Sequence, residues 1–374
     1  MNFDLSEDEE MLKAVAERFV SDRYDGERRR TYLARDAGFC VENWALLGDL
    51  GLIAMAFDAE NGGLGASQID IALVAEALGR GLVVEPLIES VLVAGKLFES
   101  QADPALKTRW MPGIVSGELR LALAHHETAA RYNPAWVESR AVEVSGEWRL
   151  NGKKDMVRAG VNANAFIVSA RISGDAGQND GVGLFLVERD APGLVIHPYR
   201  VLDGTVACEV ELHDVVVKAD CRLSGGLEAI GDAETRAAIA WSAEALGIME
   251  TLFAETLDHL KTRQQFGVAL GSFQVLQHRM VEHYACIEQA RALLHLATMA
   301  DPSDSDAWGK AIAGARAFIA EASIKLSHDL IQMHGGMGVT DELIIGHGHK
   351  RLMMLARHPR DAGHELDRYA GVTG

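Results

Sequence analysis

The chain has 374 residues, of which 48% are hydrophobic, and it carries a formal net charge of -18 at pH 7. This length and apolar share are sufficient for two or three domains with substantial cores, which excludes a disordered protein. An acidic surface does not attract nucleic acid or an anionic membrane, so neither is expected as a partner. An anionic ligand must therefore be bound by local basic groups.

Secreted proteins, membrane-spanning proteins and metalloproteins are also disfavoured. The chain begins MNFDLSEDEEMLK, which is acidic where a signal peptide would be basic, and no stretch approaches the roughly 20 apolar residues of a transmembrane helix. We therefore expect a cytoplasmic protein. The scattered cysteines form no CxxC or Cys/His cluster, which predicts reduced structural thiols and no metal site: Cys40, Cys208, Cys221 and Cys286.

Three regions follow one another along the chain. Residues 1–121 are rich in Ala, Leu, Glu and Arg with helical periodicity, as in MLKAVAERFV, and turn signals such as AENGGLGAS interrupt them. Residues 122–225 contain short β-branched runs between turns, which predicts an antiparallel sheet or small barrel. Residues 226–374 return to long helical patterns that predict a bundle. The order predicts an α+β fold with a helical N-terminal domain, a middle β domain and a helical C-terminal domain.

The same order excludes the common nucleotide-binding folds. It fits neither a doubly wound sheet nor a parallel barrel. No GxGxxG follows a predicted strand, and no GxxxxGK[ST] loop occurs. Nucleotide binding by those two routes is therefore not expected.

Three segments occur in an order that is typical of one enzyme family: ENGGLGAS near Glu60, KTRQQFGVALGSFQVLQH from Lys261 to His278, and IQMHGGMGVTDE from Ile331 to Glu342. Together they resemble the acyl-CoA dehydrogenases, and the resemblance covers essentially the whole chain. SDRYDGERRRTYLA and HKRL are more narrowly similar to the small-subunit branch of pimeloyl-CoA dehydrogenase. The resemblance implies a helical N-terminal domain, a middle antiparallel β domain and a C-terminal four-helix bundle.

The resemblance also implies FAD as the cofactor. In the family's R-x-x-F-G motif, the arginine, the phenylalanine and a following glutamine hold the FAD of the neighbouring subunit, and these correspond to Arg263, Phe266 and Gln274. A guanidinium suits a diphosphate because its planar fork donates two hydrogen bonds and keeps its charge. Alternatively, Arg263 and Lys261 only place favourable positive charge at the end of a long helix.

A glycine-rich segment after the last long helix is the second expected cofactor contact. IQMHGGMG resembles the family's Q-x-x-G-G-x-G loop, in which Gln332 and Gly336 would approach the adenosine and diphosphate of FAD. Glycine permits a close backbone approach. The segment is also typical of a helix C-cap, and both interpretations can hold because a capped turn with free N–H groups can face an anion.

Two more cofactor contacts, His126 and Arg158, are expected in the middle domain. At the flavin-contact positions of the family this chain has LAHHE, which includes His125 and His126, and MVRAG, which includes Met156 and Arg158. Arg158 would stabilise a reduced, anionic flavin ring; the alternative is an exposed hairpin arginine. The adjacent histidines are not expected to bind a metal, because neighbouring side chains on a strand point to opposite faces.

The family's chemistry implies one carboxylate that removes the α proton of the thioester, with a pKa raised by an apolar setting. Its two usual positions hold no glutamate here: one falls in LARHPRDAGHEL and the other on Ala237 and Ala238. Glu244 lies two turns further along the same helix. It is the candidate base because its neighbours one turn away are apolar: Ala240, Trp241, Gly247 and Ile248.

Other interpretations of the missing base stay open. Glu244 could be a buried glutamate held by an arginine from another helix, or the exposed edge of a wide apolar stripe. Asp361, in PRDAGHE, is the alternative base. A further possibility is that this chain has no base and that a partner subunit supplies it.

The implied reaction is FAD-dependent α,β-dehydrogenation of an acyl-CoA thioester in catabolism, with electrons passed to an electron-transfer flavoprotein. The expected assembly is a homodimer or tetramer, or a heterotetramer with a second acyl-CoA dehydrogenase subunit. One alternative is a flavin oxidase or monooxygenase with the same fold. Another is a non-catalytic subunit that lends Arg263 and Gln332 to the FAD of its partner.

Overall fold

The computed structural model describes residues 5–372. Within them, α-helices lie towards both ends of the sequence and most strands lie between. The helices are α1 (Glu7–Arg23), α2 (Gly26–Ala34), α3 (Val41–Asp49), α4 (Gln68–Arg80), α5 (Lys96–Gln101), α6 (Pro104–Ser116), α7 (Leu227–Thr262), α8 (Gln274–Met299), α9 (Ser305–His334), α10 (Ile344–Leu355) and α11 (Ala362–Ala370). A π-helix, Ile88–Gly95, runs directly into α5.

The strands form one large sheet and one short hairpin. They are β1 (Leu121–Ala124), β2 (Arg140–Val144), β3 (Glu147–Arg158), β4 (Ala165–Arg171), β5 (Val182–Glu188), β6 (Leu194–Arg200), β7 (Val206–Lys218), β8 (Arg222–Leu223), β9 (Gln264–Gln265) and β10 (Val268–Ala269). The large sheet has the order β6-β7-β3-β2-β4-β5-β8, with β1 paired to β4. β9 and β10 pair with each other.

The large sheet is mostly antiparallel, as the sequence predicts, but β4 makes two parallel pairings, with β1 and with β2. The predicted antiparallel β domain is therefore present, and its sheet also contains these two parallel pairings. The reason lies in β4, Ala165–Arg171, which is buried at every position. A strand covered on both faces is a near-continuous apolar run, and such strands are the ones that tolerate parallel neighbours.

The chain packs as two compact units, each built from separate stretches of sequence. The helical unit contains Met1–Thr31, Ser67–Val83 and Ala238–Gly374, and the sheet unit contains Tyr32–Ala66 and Val84–Ala237. The predicted boundaries after residues 121 and 225 follow the change from helix to strand and back. They stay a prediction, because packing assigns stretches on both sides of residue 121 to the sheet unit.

Within the helical unit, α4 and α7 meet backbone to backbone. A Cβ on Gly79 would lie 2.4 Å from the carbonyl oxygen of Glu244, and a Cβ on Gly247 would lie 2.1 Å from the carbonyl oxygen of Glu76. Real Cβ atoms do not approach backbone this closely. The two glycines therefore set the distance between the helices, and this crossing fixes where Glu244 lies.

A charge network surrounds the same crossing. Arg80 Nε donates to Glu250 Oε2 at 2.8 Å and Arg80 also pairs with Glu76. Arg291 from α8 donates to Glu76 Oε1 at 3.3 Å and also pairs with Glu250. Burial, followed by the charge of Glu250, raises the pKa of Glu76. The EALGR segment thus supplies structural charges that join three helices.

Helix α7 has 36 residues and includes an apolar window, although the sequence predicted no stretch comparable to a transmembrane helix. By length and composition it could cross a membrane, but 78% of its most apolar 18-residue window is buried inside the protein. A core helix of a globular protein meets the same criterion.

The glycine crossing predicts a position-dependent effect of alanine. Gly247→Ala should lower the thermal midpoint, because overpacking costs about 1–3 kcal/mol and outweighs the gain in helix propensity. Gly231→Ala, in the same helix, is the matched control: its Cβ would meet nothing within 4 Å, so it should raise the midpoint. Calorimetry of both variants measures this, and equal midpoints would show that the crossing is not close.

Candidate functional site

The first predicted cofactor segment is an exposed hairpin that follows α7. Arg263 comes directly after the helix and is exposed, as is Gln274 at the start of α8. Phe266, in the turn between β9 and β10, is 90% exposed and has a φ of +54°. Its ring is edge-on to that of Phe273, 6.3 Å between centroids. Phe266 and Gly267, which has a φ of +82°, are the two residues that connect β9 to β10. A two-residue hairpin of type I′ requires positive φ at both positions, so the turn itself accounts for this conformation and presents the ring outward.

The second predicted segment closes α9. The N–H of Gly335 donates to Gln332 O, and Gly335 has a φ of +61°, so the predicted helix C-cap is present. Gln332 and Gly336 are exposed. A Cβ at Gly335 or Gly336 would meet nothing within 4 Å. The backbone of this turn is therefore open to close approach by a ligand.

Two histidines join these segments within the helical unit. His259 of α7 stacks on His334, the last residue of α9, with 4.2 Å between ring centroids. Thr256 Oγ1 donates to Leu252 O at 2.7 Å, so His334 Nε2, 3.1 Å from that hydroxyl, must be the donor to it. Burial, followed by the charge of His259, lowers the pKa of His334 to about 4. The stack is therefore neutral at pH 7 and ties the end of α7 to the end of α9.

These residues fit a flavin dinucleotide. An exposed aromatic ring such as Phe266 packs on an aromatic heterocycle, the Arg263 guanidinium pairs with a diphosphate, and the open backbone at Gly336 admits close approach. All three are exposed on the single chain. They fit a cofactor that is bound against the surface of the chain rather than in the core of the helical unit.

Glu244, the candidate base, is buried but its carboxylate is already paired. Arg351 of α10 donates from Nε to Oε1 at 2.6 Å and from Nη2 to Oε2 at 2.9 Å. Both side chains are nearly inaccessible, with 10% and 7% exposed for Arg351 and Glu244. A bidentate guanidinium pair is the arrangement of a buried glutamate held by an arginine from another helix. The geometry favours that structural interpretation, and the role of Glu244 as a base stays a prediction.

Asp361, the alternative base, caps helix α11. Its Oδ1 accepts from the backbone N–H of His364 at 3.0 Å and lies 2.8 Å from His364 Nδ1. These hydrogen bonds lower the pKa of Asp361. The predicted base requires the opposite shift, so the surroundings of Asp361 suit a cap rather than a general base.

In the sheet unit, His125 and His126 follow β1 and have different surroundings. His125 is buried with Nδ1 2.9 Å from Ser169 Oγ, whereas His126 is half-buried and its carbonyl accepts from Asp155 N at 2.8 Å. Across residues 5–372, no group of three or more His, Cys, Asp or Glu side chains could hold a metal ion.

A fully buried lysine that sequence reasoning missed lies beneath His125. Lys154 Nζ contacts Glu127 Oε1 at 2.6 Å and the carbonyl oxygen of His125 at 3.3 Å. Burial lowers the pKa of Lys154 to about 8, opposed by the charge of Glu127. The alternation of strand β3 could have predicted the burial of Lys154. Every second side chain of a strand faces the same side, and Lys154 is on the same side as the buried Trp148 and Leu150.

Arg158 ends β3 and is buried, so the alternative of an exposed hairpin arginine is wrong. Its Nη2 lies 2.7 Å from Oε1 of Glu89 in the π-helix. No sequence signal identified Glu89, an acid within the apolar run PLIESVLV. The structure therefore brings Arg263, Gln332 and their neighbours together in the helical unit, and it places His126 and Arg158 in the sheet unit.

The pairing of Glu244 predicts that its neutralisation harms the fold. Glu244→Gln leaves the buried Arg351 charge uncompensated, which should cost about 3–5 kcal/mol and lower the thermal midpoint strongly. Glu255→Gln, at an exposed position of the same helix, should have little effect. The double variant Glu244→Gln, Arg351→Met removes both charges, so it should recover most of the lost thermal midpoint. A Glu244→Gln protein that melts like the wild type while flavin reduction by substrate falls about 10²–10⁴-fold would instead identify a base.

The lowered pKa of His334 predicts a loss of stability in acid. The unfolded chain binds this proton near pH 6.5 and the folded chain only near pH 4, so stability is complete above about 6.5 and declines as pH falls towards about 4. His334→Phe keeps a ring against His259 but removes the titration, so its midpoint should fall less between pH 7 and pH 5. His278→Phe, at an exposed site, is the control and should follow the wild type. Parallel curves for all three would refute this prediction.

The sequence matches three descriptions of one family. Residues 6–118 match the acyl-CoA dehydrogenase N-terminal domain, residues 122–215 the middle domain and residues 225–359 the C-terminal domain. These matches confirm the family and the fold class predicted from the motifs. The pimeloyl-CoA dehydrogenase branch stays a prediction.

Individual relatives agree with the family match. L-prolyl-[peptidyl-carrier protein] dehydrogenase of Serratia sp. is 28% identical over 92% of this chain and 90% of that protein. Acyl-CoA dehydrogenase FadE12 of Mycobacterium tuberculosis is 28% identical over 88% of this chain and 86% of its own length. A chain of the ChsE4–ChsE5 complex from M. tuberculosis has a TM-score of 0.88 and 25% identity, over 99% of this chain and 98% of that one. This chain belongs to the acyl-CoA dehydrogenase family, whose members are FAD-dependent oxidoreductases that act on CH–CH groups.

Proposed function

We propose that this chain is one subunit of an assembly that oxidises the Cα–Cβ bond of an acyl-CoA thioester. FAD, when bound, supplies the acceptor for the hydride that leaves the β carbon. An electron-transfer flavoprotein is the proposed external electron acceptor, and the reaction is proposed to take place in the cytoplasm as part of a catabolic pathway.

The observation that carries the proposal is the exposure of the cofactor motif. Arg263, Phe266 and Gln274 face outward from a short hairpin and the helix that follows it. Gln332 and Gly336 are exposed at the end of α9, and the stack of His259 on His334 connects the two places. A chain that completes a cofactor site on a neighbouring subunit needs this arrangement, because the contacts must be available to a second chain.

In this proposal the chain binds and orients the cofactor, and a group outside this chain accepts the α proton of the thioester. Arg263 pairs with the cofactor diphosphate, and the backbone at Gly336 approaches it closely. The carboxylate of Glu244 is engaged by Arg351, and that of Asp361 caps a helix. We therefore propose that the carboxylate base comes from a second subunit.

A heterotetramer with a second acyl-CoA dehydrogenase subunit is the proposed assembly. The similar ChsE4–ChsE5 protein is a complex of two named components, which supports a partner of the same family. The similarity to a dehydrogenase of a carrier-protein thioester supports the thioester as the recognised feature. Coenzyme A is proposed as the carrier here because FadE12 is an acyl-CoA dehydrogenase.

Removal of the Arg263 guanidinium should release the cofactor without unfolding the chain. A charge-assisted hydrogen bond contributes about 1.5–3 kcal/mol, so Arg263→Ala should weaken FAD binding by about 10- to 150-fold with an unchanged thermal midpoint of the apoprotein. Lys261→Ala is the matched control, since Lys261 is exposed two residues earlier and pairs with Asp258 at 3.3 Å. It should retain FAD.

The measurement is made on the chain co-expressed with a second acyl-CoA dehydrogenase subunit. Flavin content after gel filtration and bleaching of the flavin on mixing with an acyl-CoA are recorded for each variant. Wild type and Lys261→Ala should be yellow and bleach, and Arg263→Ala should be colourless. Full flavin content in Arg263→Ala would contradict the proposed site, and a yellow wild type that no acyl-CoA bleaches would contradict the proposed reaction.

A further inference from the structure

Glu89 and Arg158 form a buried ion pair in the sheet unit. Their side chains are 11% and 7% exposed, and Arg158 Nη2 lies 2.7 Å from Glu89 Oε1. Withdrawal of two charges from water costs about as much as their pairing returns, so a buried pair of this kind is weak support for stability.

The guanidinium of Arg158 is only partly used by the protein. Its Nη2 forms an ion pair with Glu89 Oε1, but its Nη1 is buried and has no hydrogen-bond partner within residues 5–372. A buried donor without an acceptor costs about 1–3 kcal/mol, and more when it is charged. A bound molecule with an acceptor oxygen would remove this cost.

The backbone on both sides of the pair is unusual. Glu89 lies in the π-helix Ile88–Gly95, and such helices are rare and occur frequently at functional sites. Met156 and Ala159, which flank Arg158, have φ values of +53° and +60°. Non-glycine residues in the left-handed region cost free energy and cluster at ligand contacts.

The irregular backbone before Arg158 is fixed by side chains. The β3–β7 pairing shifts register between Lys154 and Val157. Within the shift, Met156 N donates to Asp155 Oδ1 at 2.7 Å, and the Tyr199 hydroxyl donates to the same carboxylate at 2.9 Å. The position from which Arg158 leaves the strand is therefore set by hydrogen bonds, and the ionic contact with Glu89 holds one side of its guanidinium.

We propose that Arg158 Nη1 donates a hydrogen bond to a carbonyl or carboxylate oxygen of a bound molecule, and that Glu89 is the positioning residue that orients this donor. Two molecules of the proposed function carry such an oxygen: the pyrimidine ring of the flavin and the acyl group of the thioester. The inference rests on the proposed function, and it concerns a polar contact of the sheet unit alone.

Three variants separate the ligand contact from folding. Arg158→Lys keeps a charge beside Glu89 but replaces the fork with a compact ammonium, which does not hold two donors in one fixed plane. Arg158→Met combined with Glu89→Gln removes both charges, so the fold is not left with an unpaired ion. Glu89→Gln alone keeps the guanidinium but loosens its orientation. Arg109→Met is the matched control, since Arg109 pairs with Glu188 at 2.7 Å in the same unit but is 60% exposed.

The assembled protein is titrated with three probes: FAD added to apoprotein, a straight-chain acyl-CoA, and the ω-carboxyacyl-CoA of the same length. If the oxygen belongs to the flavin, Arg158→Lys and the double variant bind FAD about 10- to 100-fold more weakly and the reduction potential of bound flavin shifts. If it belongs to the acyl group, FAD binding is unchanged in these variants. Their binding of the ω-carboxyacyl-CoA then weakens by about 10- to 100-fold relative to their binding of the straight-chain thioester. In either case Glu89→Gln gives a smaller effect in the same direction, and Arg109→Met matches the wild type.

Two results would overturn the inference, and they differ in whether the proposed function also fails. A wild type that binds FAD and thioester, with variants that bind all three probes equally well, refutes the Arg158 contact and leaves the proposed function intact. A wild type that binds neither FAD nor thioester refutes both.

Discussion

The bidentate pair of Glu244 and Arg351 is the constraint on which the chemistry of this chain depends. It joins α10 to the middle of α7, and at the same point of α7 the backbone of α4 packs closely against the backbone of Glu244. A carboxylate in this setting is held by charge and geometry. The glutamate that the sequence predicted as a base therefore joins two helices through its carboxylate, and its role as a base stays a prediction.

The predicted cofactor-binding residues, by contrast, are exposed: Arg263, Phe266, Gln274, Gln332 and Gly336. The hairpin after α7 and the turn after α9 use few of their side chains internally, and the stack of His259 on His334 keeps the two segments together while both stay exposed. Packing therefore divides the chain into residues that build it and residues that it offers to another molecule. This division is the physical basis for proposing a subunit that completes a cofactor site across an interface.

Much of this could be predicted from sequence because it depends on local rules. Helical periodicity predicted the long helices, β-branched runs predicted the sheet, and three motif segments in their order, including those of Arg263 and Gly336, indicated the family. The partners of buried charges could not be predicted, because they are set by contacts distant in sequence: Glu244 meets a residue 107 positions away, and Glu89 gives no local signal. Lys154 lies between these cases, since strand alternation points it inward but does not name Glu127 as its partner.

The central claim is that this chain contributes Arg263 to the cofactor of a neighbouring subunit. A structure of the assembled protein with FAD bound tests it most directly. We expect the Arg263 guanidinium within about 3 Å of a diphosphate oxygen of an FAD whose ring system is held by the other subunit. An Arg263 that faces solvent in the FAD-bound assembly, or that contacts only an FAD held by its own chain, would contradict it.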